Sequence, residues 1–451
     1  MLTLTKKTDR PAETPAAATA SREVPTTAPA AGEPTFASLG VAADLAANLA
    51  KRGITSPFPI QVLTIPDALA GRDVSGKAQT GSGKTLAFGL PLVQRTERGR
   101  RRRPLALVLV PTRELALQVA ENLAPLANIR GLSLTAIYGG ASMVRQIKDL
   151  HMGCELVVAT PGRLNDLLER RELSLADLQA VVIDEADQMA DMGFLPQVER
   201  ILSQAPEGHQ TMLFSATLDG AVGELVARYQ HDPVRYEVVS NEATVDTLEQ
   251  RFIGVEPEEK VAVTAAICEK AGRTIVFVRT KHGADRLALQ LERRGLGAAA
   301  IHGGLNQGKR ERTLRAFAHG SSPVLVATNV AARGLHVDGV ELVLHYDIPE
   351  DTKTYLHRSG RTARAGEDGL VVTLVTPAEM RDMGAMQREA GIRQAIVRMA
   401  PADPRLQDLG GWEPPVQQEP PPARVREREL TPVSRPPFRR RSDGRRQQAF
   451  R

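Results

Sequence analysis

AQTGSGKT, residues 78–85, follows a short extended segment around Asp73 and runs into the apolar helix start LAFGLPLV. Small residues at its centre let backbone N–H groups wrap a phosphate, and a glycine-rich turn between a strand and a helix is the layout of a phosphate-binding loop. In that layout Lys84 reaches the outer phosphates of a nucleotide and the Thr85 hydroxyl helps hold Mg2+. Ala78 stands where the general pattern has glycine, so these eight residues alone also fit a turn without a ligand.

Downstream, AVVID (180–184) is a strongly apolar run that ends in the acids of DEAD (184–187). Asp184 is placed to hold Mg2+ and Glu185 to polarise an attacking water. Two acids after a strand also serve as a helix cap and first-turn charge. Coupled to an upstream phosphate loop, they point to the edge of a parallel sheet where such sheets bind ligands.

The surrounding sequence supplies that sheet. LALVLV (105–110), LVVA (156–159), AVVID and TMLFS (211–215) alternate with helix-length segments, and a second series follows: TIVFV (274–278), AAAIHG (298–303), VLVAT (324–328), ELVLHY (341–346) and GLVVTLV (369–375). The alternation predicts parallel strands with crossover helices, in two α/β domains. The polar stretch 240–246 lies between the series and reads as a linker. The domains are expected at 34–239 and 247–385, with an extension over 386–451.

Residues 1–33 are rich in Ala, Pro, Thr and Glu, and from about 401 the chain turns to Pro, Gln, Glu and Arg. Neither composition offers enough apolar surface to offset ordering, so disordered tails are expected. The last stretch, 424–451, holds ten arginines, no lysine and three acids, a net +7 against +5 for the whole chain. Arginine is favoured where phosphates and bases are gripped, which makes this tail a candidate nucleic-acid tether. The run RTERGRRRR (95–103) reads as a solvated surface loop remote from the interdomain region. Two cysteines, Cys154 and Cys268, lack metal-ligand spacing, and no run approaches the length that spans a bilayer. A cytoplasmic location with no membrane partner is expected.

The series of motifs resembles the DEAD-box helicases of superfamily 2, bacterial type, over about residues 34–385. In order they are Phe36, GITSPFPIQ (53–61), AQTGSGKT, PTREL (111–115), Gly139 and Gly140, TPGR (160–163), DEAD, SAT (215–217), VFVRT (276–280), ATNVAARGLH (327–336) and HRSGRTAR (357–364). The resemblance implies two tandem RecA-like domains, ATP and Mg2+ as cofactors, and ATP-dependent, sequence-independent remodelling of single-stranded or duplex RNA. Ribonucleoprotein or ribosome-assembly partners are compatible with it.

The resemblance also assigns roles. Phe36, Gln61, Ala78, Gln79, Thr80, Gly81, Ser82, Gly83, Lys84, Thr85 and His336 would bind the nucleotide, with one Gln61 amide able both to accept from the adenine amino group and to donate to N7. Arg361 and Arg364 would be arginine fingers. Asp187, Ser215, Thr217 and His357 would couple hydrolysis to domain closure. Pro111, Thr112, Arg113, Gly140, Thr160 and Arg163, with Arg279, Thr328 and Arg333, would grip RNA through groups that hold phosphate and sugar without reading bases.

Five positions depart from the family: Ile54 for an aromatic, Phe58 for Thr, Asn329 for Asp, His336 for the ribose-contacting Asp and Ala363 for Gly. A translocating or DNA helicase is disfavoured by Gln61 with Phe36 upstream and by His357 heading the last motif. An ATP-dependent RNA clamp uses the same residues and stays open at this stage.

Overall fold

A computed structural model of the chain describes residues 34–79, 81–238, 248–332, 339–362 and 369–416. The two expected disordered tails up to 33 and over 424–451, the expected linker, and Thr80, Arg333, His336 and Arg364 lie outside these residues.

The first sheet contains β1 (Val74–Lys77), β2 (Ala106–Leu109), β3 (Leu134–Ile137), β4 (Leu156–Ala159), β5 (Ala180–Asp184), β6 (Gln210–Ser215) and β7 (Val234–Glu237), in the order β3-β4-β2-β5-β6-β1-β7. All neighbours run parallel. Strands β2 and β4, and β5 up to Asp184, are continuously apolar because both faces of the sheet are covered. Successive residues point to opposite faces: Val108, Val158, Val182 and Phe214 join one core cluster, while Leu107, Val157, Val181 and Leu213 join the other. The first face is covered by helices Pro59–Leu69, Lys84–Arg95 and Arg113–Ile129, and the second by Pro161–Glu169, Leu195–Leu202 and Gly220–Tyr229.

The second sheet contains β8 (Glu249–Gly254), β9 (Thr274–Val278), β10 (Ala298–Ile301), β11 (Val324–Thr328), β12 (Leu342–His345), β13 (Leu370–Val375) and β14 (Ile396–Arg398). Its order, β10-β11-β9-β12-β13-β8-β14, repeats the first sheet position for position, again all parallel. Two buried-face clusters repeat as well, with Val276 and Val326 on one side and Ile275 and Leu325 on the other.

At the C-terminal end the structure corrects the reading. Disorder does not begin near 401: Leu406 and Leu409 are buried with Trp412 against the second domain, and buried Arg251 donates to the carbonyls of Leu409 at 2.8 Å and Gly410 at 3.2 Å. Three apolar anchors spaced through a polar, proline-rich stretch are enough to seat it, which composition averages away. The expected end of the second domain at 385 lies inside helix Met380–Glu389, and β14 adds a strand beyond it.

The domains touch. Arg310 Nε meets Glu114 Oε1 at 2.7 Å with both side chains nearly buried, and Lys353 meets Asp191 at 2.9 Å.

Candidate active site

The loop after β1 is held from both sides. The Ala78 amide donates to the Ser215 carbonyl at 2.9 Å, and the Ser82 hydroxyl donates to the Gln79 carbonyl at 2.7 Å. Gly81 and Gly83 both have positive φ, and Gly83 caps helix Lys84–Arg95 at φ 86°. A Cβ at Gly83 would lie 2.5 Å from Gln61 Nε2 and 2.6 Å from the Phe58 ring, so conformation and space both require glycine. The loop therefore presents backbone amides at a helix N-terminus, where anions are favoured.

Lys84, the first residue of that helix, is 5% exposed. Its ammonium donates to the Ala78 carbonyl at 3.0 Å and pairs with Glu185 Oε1 at 2.9 Å. Burial alone would lower its pKa, but the carboxylates of Glu185, Asp184 and Asp187 outweigh burial and raise it. Thr85 follows, partly exposed.

The acids sit at the C-terminal end of β5. Asp184, Glu185 and Asp187 are all buried, and Glu185 is held at φ 53°, ψ 48°, a left-handed conformation that costs a non-glycine residue roughly 1 kcal/mol or more. The Glu185 amide donates to Asp184 Oδ1 at 3.0 Å, and Gln188 donates to Glu185 Oε2 at 3.2 Å. Burial, with help from the Glu185 carboxylate and against Lys84, pushes Asp184 up to about 7. Burial and Glu185 likewise raise Asp187. Ser215 at the end of β6 accepts from the Asp187 amide at 3.2 Å and from the Thr217 amide at 3.4 Å, which joins the SAT and DEAD segments. Packed carboxylates with raised pKa values, beside a hydroxyl, suit a hard divalent cation with oxygen ligands.

Gln61 is 1% exposed; its Oε1 accepts from the Phe58 amide and its Nε2 donates to the Gly83 carbonyl, both at 2.9 Å. It thus ties helix Pro59–Leu69 to the phosphate loop. Phe36, expected beside a base, is 3% exposed within the core, and partly buried Ile54 packs against that core. The exposed ring at the loop is Phe58, 52% accessible.

Across the interdomain recess, helix Thr352–Ser359 starts at Asp351, whose carboxylate accepts from the Thr354 amide at 2.6 Å. The helix and the turn after it bring His357, Arg358 and Arg361 together with Asn329 and Phe277, facing Gln188 of the first domain. Burial lowers the His357 pKa, with Asp187 of the first domain acting in the opposite sense. Arg361 is buried, and its Nε donates to the His357 carbonyl at 3.3 Å.

Three participants were missed in the sequence. Arg358, 3% exposed, donates to Asn329 Oδ1 at 2.7 Å and to the Asp347 carbonyl at 2.9 Å, and lies over the Phe277 ring; burial lowers its pKa to about 10. Asn329 therefore keeps the acceptor that the usual Asp would provide, without its charge. The Glu114–Arg310 pair was missed too. Its one sequence signal was Glu114 within PTREL, with no sign of a partner 196 residues away.

The RNA-assigned residues that the structure describes also gather at or just after C-terminal strand ends. Pro111 and Thr112 follow β2, and the Thr112 hydroxyl oxygen accepts from the Leu115 amide at 3.2 Å as the cap of helix Arg113–Ile129. The Arg113 guanidinium lies against Gly140, whose φ of 82° and lack of a side chain admit it. Thr160 caps helix Pro161–Glu169 after β4, and Arg163 donates to Gln146 Oε1 at 2.9 Å and to the Ala141 carbonyl at 3.3 Å. In the second domain Thr328 ends β11, and exposed Arg279 follows β9 with its amide donating to Asp347 Oδ2 at 2.7 Å.

Comparison with known proteins places this arrangement. Residues 58–225 match the DEAD/DEAH box helicase family and residues 259–366 match the helicase conserved C-terminal domain. The chain is 46% identical over 349 residues to the DEAD-box ATP-dependent RNA helicase CshA of Streptococcus pneumoniae, covering 76% of this chain and 66% of that protein. It is 41% identical over 356 residues to the Bacillus cereus protein of the same name, covering 78% and 68%. It thus spans about two thirds of the length of the relatives it matches. Among solved structures, Dbp5 of S. cerevisiae bound to RNA and ADP BeF3 superimposes with a TM-score of 0.72 at 30% identity, over 82% of this chain and 96% of that one. Mss116p bound to ssRNA and AMP-PNP gives 0.72 at 26% identity, over 81% and 80%.

Proposed function

The chain belongs to the DEAD-box helicase family, with two RecA-like domains, and from that premise we propose that it is an ATP-dependent RNA helicase that remodels RNA locally without reading its sequence. The observation that carries this reading is the recess in which Arg361 and His357 of the second domain meet Gln188 of the first, whose side chain bonds Glu185 beside Lys84 and Asp184.

The residues divide the work. The loop amides and Lys84 hold the phosphates of ATP, and Gln61 selects adenine, with Phe58 offering its exposed ring beside it. Thr85 and Asp184 would hold Mg2+, which supplies charge neutralisation at the phosphates. Glu185 orients the attacking water and accepts its proton. Arg361, with Arg364, stabilises charge that develops on the transferring phosphoryl group, which requires the domains to be closed. Asp187, Ser215, Thr217 and His357 link hydrolysis to that closure. Pro111, Thr112, Arg113, Gly140, Thr160, Arg163, Arg279, Thr328 and Arg333 grip one strand across both domains, and closure bends it so that a short duplex loses its partner. The protein would act on single-stranded or duplex RNA in the cytoplasm; no described helix is long and apolar enough to cross a membrane.

Steady-state ATP hydrolysis with RNA, single-stranded DNA or neither tests this reading. RNA stimulation above the other two is expected, since backbone contacts to the 2′-hydroxyl distinguish the sugars. A rate indifferent to RNA contradicts it.

A further inference from the structure

The arginine run between helix Lys84–Arg95 and β2 is a built surface. Arg102 sits at φ 61° and Arg171 at φ 57°; with Glu185 and Asp232 they are the non-glycine residues of positive φ among the described residues. Such backbone persists only where its surroundings enforce it. Here Arg102 Nε donates to the Glu172 carbonyl at 3.0 Å, its Nη2 donates to the Arg171 carbonyl, and its own carbonyl accepts from the Ser174 amide at 2.9 Å. One arginine thus ties both loops together, with Arg101 and Arg171 exposed beside it.

Arg101 separates two depressions. One, of about 630 Å³, is lined by Arg101, Arg102, Arg103 and Arg171; the other, of about 530 Å³, by Arg101, Lys148 and His151 beside Val144, Ile147 and Met152. No acid lines either one. Nearby carboxylates neutralise part of the charge: Glu172 pairs with His151 at 2.9 Å and Arg102 at 3.8 Å, Asp177 with Arg103 at 3.0 Å, and Asp166 with Arg170 at 3.7 Å. Arg100, Arg101, Lys148 and Arg171 are exposed and form no ion pair among the described residues.

The position is informative. The Leu105 amide bonds the Glu155 carbonyl ahead of β4, and the Gln179 amide bonds the Leu105 carbonyl ahead of β5, so the patch lies at the N-terminal ends of the strands. The phosphate loop and DEAD acids lie at the C-terminal ends, at least one strand length away, roughly 13–17 Å. Nucleic acid on this face would not compete with the interdomain cleft.

We propose that this face is a second RNA-binding surface, which takes the phosphate backbone of RNA extending beyond the cleft through Arg101, Lys148 and Arg171. It rests on RNA as the substrate. Three cations without an ion pair among the described residues, Arg101, Lys148 and Arg171, line acid-free depressions and attract a polyanion, and guanidinium groups match phosphate oxygens two at a time. Binding there would be independent of sequence and would retain a long RNA between rounds of cleft opening.

The test uses the full chain with Arg101→Gln, Lys148→Gln and Arg171→Gln combined. Binding is measured by fluorescence anisotropy across a salt series, on an oligouridylate short enough to fill only the cleft and on a long duplex with a single-stranded overhang. Because the triple variant can no longer neutralise three phosphates, the slope of log K against log salt on the long RNA falls by roughly 2 to 3. The short RNA and kcat at saturating RNA do not change, and Arg101→Lys with Arg171→Lys keeps the wild-type slope. If the triple variant fails to fold, the exposed single change Arg101→Glu must weaken long-RNA binding several-fold at low salt. An unchanged slope on long RNA overturns the inference while leaving the helicase reading intact. Loss of binding to polyglutamate with the RNA slope unchanged would assign the face to an acidic protein segment and also overturn it. Wild-type protein that binds neither RNA would defeat the helicase reading itself.

Discussion

The two domains are the same sheet built twice, yet the loop on which the proposed function places a nucleotide's phosphates belongs to the first. β1 and β8 occupy the same place in their sheets. After β1 comes AQTGSGKT; after β8 comes VEPEE (255–259), with no glycine and three acids that would repel a phosphate. After β5 comes the buried DEAD cluster. After the matching β12 comes YDIPED (346–351), where Asp347 is spent on the Arg279 amide through its carboxylate and on Arg358 through its carbonyl. The second domain offers cations to the cleft, Arg361 among them. Strand order therefore sets where a site lies, and the loop after each strand sets what it does.

The comparison breaks first at Glu185. Glu185→Gln removes the water-orienting carboxylate from the first domain only, so kcat falls roughly 10²–10⁴-fold while ATP still binds, as equilibrium binding and turnover measured together will show. Full turnover in this variant would remove Glu185 from the chemistry.

Next is the joint between the copies. Glu114→Ala leaves Arg310 buried without its partner in the closed arrangement, and RNA-stimulated kcat/KM drops roughly 10- to 100-fold. Adding Arg310→Ala should recover part of this loss; additive losses in the double-mutant cycle would show that the pair does not hold the domains together.

Gln61→Ala tests the edge of the first domain. It should reduce the ATP-to-GTP ratio of kcat/KM by about tenfold, the worth of one or two hydrogen bonds to the base. An unchanged ratio would leave Gln61 as a tie between Phe58 and Gly83 only.

The smallest effect is on stability. Asp184 is raised by burial from an ordinary carboxylate value to about 7, so between roughly pH 4 and 7 the folded chain binds more protons than the unfolded one. Stability of the ligand-free protein should therefore fall as pH rises through that window. Asp184→Asn removes the Asp184 share of this dependence, leaving that of Asp187, and should raise Tm at pH 8 by roughly 2–8 °C. A lower Tm in thermal scans would contradict the charge crowding inferred for the DEAD cluster.

Much of the fold was legible. β4, β5, β9 and β11 begin and end at the residues their apolar runs suggested, because strands buried on both faces must be apolar throughout. β3, β7 and β14 were not found: they are short edge strands whose half-exposed faces weaken the signal. β8 hid because it carries Glu249, Gln250 and Arg251: Gln250 accepts from Tyr355, and Arg251 pairs with Glu249 and donates to the carbonyls of Leu409 and Gly410. The phosphate-loop, DEAD and SAT segments of the first domain meet at the C-terminal ends of β1, β5 and β6. The Arg358–Asn329 and Arg310–Glu114 pairs were not legible, since pairing across distant segments leaves no local pattern. The exposure of Phe58 beside the loop, with Phe36 in the core, also needed tertiary packing to decide.

The division of labour between the copies is tested most directly by Arg361→Ala, with ATP affinity and hydrolysis measured on the same sample, with and without saturating RNA. Because Arg361 belongs to the second domain and acts across the recess, ATP binding should stay within a few-fold of wild type while stimulation by RNA disappears. An RNA-stimulated rate equal to wild type would contradict the account, for the phosphate-holding domain would then be hydrolysing ATP without its partner's arginine.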